Sequence, residues 1–312
     1  MKILEEIKNP FKLSSLLLAL LLATFPFLGN YYILDLLILS NIYAIFAASF
    51  DIISGYAGQI SLGHAAYFGL GGYFYGFLID WFNIPPALSF FLSGILVAII
   101  GFLVGVPCLR LKGAYLALGT LAFSETVRTT ILAFPSVTWG QEGLQVNRML
   151  HGIIHNYYAS LASLLSSLII MHYVVKCKLK LYLVALRENE DLAEAVGINT
   201  AAYKLLAFTI SSFFSAISGA FFASYIGVIS PRALTISLSF RAIVMSTIGG
   251  IGTLYGPIFG AYLITFLSEA FRPIILRGSD IIYAVLLIIF ILLIPKGIVN
   301  FIQERLRSFL KL

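Results

Sequence analysis

Apolar runs long enough to cross a bilayer follow one another along almost the whole chain, at 13–29, 31–53, 56–79, 87–107, 113–133, 153–175, 204–227 and 280–295. A hydrocarbon core needs about 20 apolar residues per helix. The last run is short. A further stretch, 239–270, is apolar but interrupted by Gly249, Gly250, Gly252, Gly256 and Pro257. It reads as a re-entrant hairpin or as two full spans. Broken backbone at membrane depth is tolerated only where protein or water surrounds it, so this break points inward and not at lipid. The expectation is an all-α polytopic membrane protein, one transmembrane domain over 1–312, with about eight spans plus a Gly/Pro-broken hairpin, or ten in total.

Composition excludes the soluble alternative. Only 11% of residues are charged and 60% are hydrophobic, against roughly 25% charged in soluble domains. So few charges cannot cover a water-facing surface. The run from Leu13 to Leu28 lacks a clear small-residue cleavage site and leads straight into the next run, so it reads as a span and not as a signal peptide.

The basic residues set the orientation. With the N-terminus in the cytoplasm, the inside segments hold fourteen: Lys2, Lys8, Lys12, Arg110, Lys112, Lys176, Lys178, Lys180, Arg187, Lys204, Lys296, Arg305, Arg307 and Lys311. The outside segments hold five, Arg148, Arg232, Arg241, Arg272 and Arg277, and Arg128 lies within a span. Every lysine falls inside. This bias places both termini in the cytoplasm. It also explains the net charge of +6 without nucleic acid as a partner. The two cysteines, Cys108 and Cys177, fall at cytoplasmic span ends and make neither a disulfide framework nor a metal site.

The longest inside segment, 176–203, contains ALRENEDLAEAVGI at 185–198, which reads as one short helix. Leu186, Ala193 and Val196 can share a face, with Glu188, Glu190, Asp191 and Glu194 around the rest. Gly197 sits where a C-cap glycine belongs. A charged helix tethered at both ends to spans is built either to transmit force or simply to connect.

Within the spans, Gly58, Gly63, Gly69, Gly71, Gly72 and Gly76 allow close helix approach, and Gly72 and Gly76 have the small-xxx-small spacing. Gln59, Ser61 and His64 are polar and should face protein or a pathway. Ser61 and His64 are three apart, which raises the alternative of an intramembrane Ser–His hydrolase. A shift of 189 residues superposes Gly63 on Gly252, Gly71 on Gly260, Tyr73 on Tyr262, Phe77 on Phe266 and Leu78 on Leu267. Glycine-broken segments in matching halves point to a transport pathway, so Gly63, Gly250 and Gly252 join the candidates. Glu125 and Arg128 are spaced as a self-neutralising pair, and Thr120 and Glu125 are candidate pathway residues.

The stretch from Ser54 to Tyr73, SGYAGQISLGHAAYFGLGGY, resembles the signature of branched-chain amino-acid permeases. The stretch from Leu109 to Phe123, LRLKGAYLALGTLAF, is similar to the next element of the LivM-type member of that family. The segment from Arg187 to Gly197 looks like the coupling loop of ATP-binding-cassette importers, with Val196 at the position of its second alanine. The resemblance spans about residues 35 to 300. It implies a type II importer-like permease for branched-chain amino acids that works by alternating access. It implies as partners a second related permease, separate ATPase subunits and an extracytoplasmic solute-binding protein. Arg187, Glu188, Glu190, Glu194 and Gly197 would then couple the permease to its ATPase. Permeases for urea and short amides look alike in these motifs, and a secondary carrier is the more distant rival. The chain has no G-x-x-x-x-G-K-[ST] phosphate loop, so hydrolysis would fall to another subunit. No cofactor is expected.

Overall fold

A computed structural model describes residues 30–108, 111, 113–176, 178–271 and 298. The expected spans 13–29 and 280–295 lie outside the described residues, as do Arg110, Lys112 and Cys177.

Among the described residues the helices longer than one turn are α1 (Tyr31–Asp51), α2 (His64–Asp80), α3 (Pro86–Cys108), α4 (Ala114–Ala133), α5 (Ile153–Lys176), α6 (Lys178–Glu188), α7 (Glu190–Ala195), α8 (Thr200–Ile226), α9 (Ile236–Gly249) and α10 (Gly256–Phe271), with a single turn at Pro135–Thr138. Among the described residues, four helical stretches are long and apolar enough to cross a membrane: Tyr31–Tyr56, Pro86–Cys108, Ile153–Val175 and Thr200–Ile226. The stretch expected as an interrupted hairpin is two packed helices, α9 and α10, joined by a tight turn at 250–255. At 14 and 16 residues, they are roughly 21 and 24 Å long, short of a full bilayer core.

Local chemistry sets the helix ends. Asn30 caps α1, its side chain accepting from the backbone N–H of Tyr32 and Ile33. Pro86 opens α3 and Gly227, at φ +85°, closes α8. The expected span 56–79 begins late. The chain leaves α1 through a π-turn, Ile52–Tyr56, and runs non-helically until His64. The span expected at 204–227 begins earlier, at Thr200, because Asn199 caps it by accepting from Ala202 N–H.

α1 forms the centre of the bundle and is buried along nearly all its length. α8 packs on α2 and α3, while α1 packs on α10 and α5. α3 is amphipathic in the reverse of the soluble sense. Ser89, Ser93, Gly94, Gly101 and Gly105 are buried, whereas Leu88, Phe91, Ile95, Ile99, Phe102, Leu103 and Val106 are 46% to 61% exposed. An outward apolar stripe with small residues inside suits a helix in lipid, where close approach and not apolarity draws helices together. Gly219 makes the same point. A Cβ there would lie 1.8 Å from the Phe68 carbonyl oxygen of α2.

The bundle has two distinct ends. One holds the break at 57–63, helices α6 and α7 and the 250–255 turn. The other holds a short antiparallel ladder, β1 (Leu144–Gln145) with β2 (Val228–Ile229). That ladder amends the all-α expectation. Gly76 belongs to it, since a Cβ there would strike Leu144 at 2.5 Å.

Candidate functional site at the α6–α7 end

The segment read as one helix over 185–198 is two. Asn189 leaves helical geometry (φ −162°, ψ 110°) and caps α7, accepting from Leu192 N–H at 3.0 Å. α7 then ends in a Schellman turn: Gly197 N–H donates to Glu194 O, Ile198 N–H donates to Ala193 O, and Gly197 takes φ +85°. The glycine therefore has the expected capping role. The expected apolar face does not form. Leu186 and Ala193 are buried, but Val196 is 76% exposed and Leu192 65% exposed. Val196 is the C-cap of α7, out of helical geometry (φ −90°, ψ 10°), and so turns away from the face of Ala193.

Arg187 closes α6 and points into the bundle. Its Nη1 donates to Gly55 O in the π-turn at 2.9 Å, and its Nη2 pairs with Glu188 Oε1 at 2.9 Å. The space is tight. A Cβ on Gly58 would lie 2.5 Å from Arg187 Cγ, and one on Gly252 would lie 3.1 Å from Arg187 Nη1. Lys180 also lies 5.7 Å from the Tyr56 ring centroid. Two cations of α6 thus grip the end of α1.

The same turn meets the 250–255 break. Asp51, 1% exposed at the end of α1, accepts from Gly252 N–H through Oδ1 at 2.8 Å. Gly252 sits at φ +77°, where a side chain is strained. A Cβ on Gly55 would lie 2.0 Å from Asp51 Oδ1 and 2.6 Å from Gly252 N. Arg187, Gly55, Asp51 and Gly252 therefore form one junction joining α6, the end of α1 and the α9–α10 turn.

The acidic residues expected at the coupling face are partly turned inward. Glu190 Oε1 pairs with Lys204 Nζ at 2.5 Å, and the lysine side chain is 2% exposed. Glu194 Oε1 accepts from Thr200 Oγ1 at 2.5 Å. Both tie α7 to α8, and the Tyr182–Tyr203 ring contact, with centroids 4.6 Å apart, ties α6 to α8. Glu188 remains outward, with its side chain 69% exposed.

The membrane candidates divide. Ser61 is buried but precedes α2, so it does not share a helical face with His64. His64 turns to Ser49 instead, with Nε2 2.9 Å from its Oγ. Ser49 Oγ also lies within donating distance of Phe46 O, at 2.7 Å. The Ser61–His64 pair of the hydrolase alternative is thus not formed. Thr120 Oγ1 accepts from Leu62 N–H at 3.0 Å, and a Cβ on Gly63 would lie 2.2 Å from Thr120 O. These residues lock the 57–63 break against α4. Gln59 is half-buried, and its Nε2 reaches Ala57 O at 3.5 Å. Glu125 stands apart on a more exposed face of α4, paired with Arg128 at 2.8 Å. Gly250, at φ +124°, ends α9. Gly63 (φ −92°) directly precedes α2, whereas Gly252 lies in a turn, so the two positions matched by the 189-residue shift differ in conformation.

Asp51 and Lys204 are the members that sequence reasoning passed over. Both could have been found. Asp51 is an ionisable residue inside an apolar run, and such residues are functional candidates by default.

A sequence model of the family described as branched-chain amino acid transport system / permease component matches residues 32–294. The chain belongs to that family. The permease is 26% identical to the high-affinity branched-chain amino acid transport system permease protein LivM of Escherichia coli (strain K12), over 95% of this chain and 76% of that protein. It is 24% identical to LivH of Salmonella typhimurium (strain LT2), over 84% of this chain and 92% of that protein. It is 27% identical to the autoinducer 2 import system permease protein LsrC of Yersinia enterocolitica, over 68% of this chain and 53% of that protein. Among solved structures, PsaBC from Streptococcus pneumoniae matches at a TM-score of 0.48 and 14% identity, over 88% of this chain and 96% of that one. The permease is a component of an ABC-type transporter and a multi-pass protein of the inner membrane.

Proposed function

We propose that this permease imports branched-chain amino acids by alternating access, with the 178–199 segment facing the cytoplasm and docking an ATPase subunit. The observation that carries the reading is the Arg187–Gly55 bond, because it joins the exposed segment directly to broken backbone inside the bundle. A push on α7 would reach α8 through Glu190–Lys204, and the α1 end through Arg187. Leu192 and Val196, one turn apart and exposed on α7, supply the apolar contact. Glu188 supplies charge at its edge. The names of the LivM and LivH relatives support branched-chain amino acids as solutes, and a second permease and an extracytoplasmic binding protein complete the machine. The LsrC relative supports a second reading, the same machine with another solute.

The test isolates the permease from its own membranes and asks what comes with it. An ATPase subunit should co-purify with the native chain and be lost from Leu192→Glu, along with ATP-dependent leucine uptake. Asn189→Cys should be labelled from the cytoplasmic side only, and Arg232→Cys from outside only. Native permease without ATPase, with uptake persisting after ATP is exhausted, would favour a secondary carrier. ATP-dependent uptake that excludes leucine would favour the second reading.

A further inference from the structure

Asp51 is 1% exposed at the end of α1, yet one of its carboxylate oxygens is left over. Oδ1 accepts from Gly252 N–H at 2.8 Å, while Oδ2 has no hydrogen-bond partner among the described residues. Taking a carboxylate out of water without partners is costly, and buried polar atoms are nearly always paired. A cation stands on the other side of the same backbone. Arg187 Nη1 donates to Gly55 O at 2.9 Å, and a Cβ on Gly55 would lie 2.0 Å from Asp51 Oδ1. Gly252 is shared in the same way. Its N–H meets Asp51 Oδ1, and a Cβ on it would lie 3.1 Å from Arg187 Nη1. The backbone of two glycines thus lies between the guanidinium and the unpaired carboxylate.

The bonds that Arg187 holds in this state are the weaker kinds. Its ionic partner, Glu188, has a side chain 69% exposed, and an exposed ion pair is worth little. Gly55 O is a neutral acceptor, and a hydrogen bond between two ions is stronger than one to a neutral group. A buried carboxylate oxygen is therefore the better seat for the guanidinium. The stem of Arg187 keeps it from that seat. It lies against the chain at Gly58, where a Cβ would come 2.5 Å from Arg187 Cγ. A shift of α6 against α1 moves the stem and so moves the guanidinium towards Asp51. The π-turn Ile52–Tyr56, which carries Gly55, is a rare conformation found mostly at functional sites.

We propose that Asp51 is a positioning residue for transport: it is the second seat of the Arg187 guanidinium, taken when the ATPase closes on α7. The proposal rests on the coupling reading above and names the residue that receives the motion. In the exchange Arg187 leaves Gly55 O and Glu188 and pairs with Asp51 Oδ2. Oδ1 keeps its bond to Gly252 N–H, so the α9–α10 turn moves with the pair.

The test measures uptake of radiolabelled leucine in cells carrying each variant, with ATP hydrolysis and thermal unfolding read on the complex purified from them. Asp51→Asn keeps an acceptor for Gly252 N–H and removes the charge. Arg187→Gln removes the cation. Each should lower uptake about tenfold while hydrolysis stays within about twofold of native. Together they should fall no further than the worse single variant, within about twofold, where independent effects would multiply to about a hundredfold. Their shifts in unfolding temperature should add, because the two side chains do not pair in the state described here. Arg187→Lys should recover part of the uptake, and lose that recovery when combined with Asp51→Asn. Native uptake by Asp51→Asn would mean that the residue only holds Gly252, and would overturn the proposal, as would a double variant whose losses multiply. Should Asp51→Asn fail to accumulate, the native complex still decides. Modification of Arg187 by phenylglyoxal, read by peptide mass, should slow about fivefold or more when the ATPase is trapped with vanadate, and an unchanged rate would overturn the seat. Native uptake by Asp51→Asn with the ATPase recovered sinks the seat alone. Recovery of no ATPase with the native chain sinks the import reading; the double variant is then read on uptake itself, where multiplied losses sink the seat and unmultiplied losses uphold it.

Discussion

The two ends of the bundle are held by different kinds of bond. At the α6–α7 end the joints are charged side chains meeting buried partners: Lys204 with Glu190, Arg187 with Gly55 O, Asp51 with Gly252 N–H. At the β-ladder end they are mostly backbone pairs and tyrosine hydroxyls, beside one longer contact from Arg148 Nη2 to Ile226 O at 3.4 Å. Leu144 and Gln145 pair with Ile229 and Val228, Tyr75 Oη donates to Asn147 O, and Tyr225 Oη donates to Asp35. Backbone pairs fix a shape, and tyrosine bonds anchor a rigid ring. Charged side chains on long stems join elements while allowing each to shift. Under the proposed coupling, the contrast tells where motion would enter: the end gripped by Arg187 and Lys180 would be pulled, and the laddered end would keep its shape.

The largest effect expected is at the buried pair. Glu190→Ala leaves the Lys204 charge, 2% exposed, without this partner. Removing one partner of a buried pair costs about 3–5 kcal/mol. Lys204→Met removes the buried charge itself and leaves Glu190, 19% exposed, able to hydrate, so its cost should be far smaller. Thermal unfolding of the two purified variants checks this order. Equal losses would mean that the pair is not buried as described.

A glycine at each end sharpens the comparison. Gly252 has φ +77° beside Arg187, and Gly227 has φ +85° beside Arg148. Alanine at either should cost roughly 1–2 kcal/mol in backbone strain. The consequences should part in function. Gly252→Ala presses on the Arg187 junction and should lower uptake several-fold at normal expression. Gly227→Ala should lower the unfolding temperature alone. Matching uptake from both variants would erase the proposed division between the ends.

The smallest effect is at the laddered end. Tyr225→Phe removes the hydroxyl from Asp35, a loss of about 1 kcal/mol, and should leave the uptake rate unchanged. A large drop in uptake with native unfolding would show that this end also moves during transport.

Much of this was legible before any coordinates. Hydrophobic runs are the direct imprint of a bilayer core, and six of the expected segments, 31–53, 56–79, 87–107, 113–133, 153–175 and 204–227, appear as helices with shifted ends. The ends shifted because caps decide them. Asn199 advanced one start, and the π-turn delayed another. The capping glycine of α7 was readable because left-handed backbone selects glycine locally. The face pairing Val196 with Ala193 was misread because the helix ends at Ala195 and Val196 is its non-helical C-cap, turned outward ahead of Gly197.

The sequence by itself determined that this chain is a bundle of apolar helices with a charged segment between two of them, because length, hydropathy and capping act over neighbouring residues. It also carried the motifs that belong to the permease family. Only the tertiary structure decided which polar groups meet. Arg187 reaches Gly55 across 132 positions, Asp51 reaches Gly252 across 201, and His64 turns from Ser61 to Ser49. Those partners are chosen by helix packing. A buried charge or hydroxyl must take whatever partner the crossing brings within about 3 Å, and no local pattern encodes which one that is.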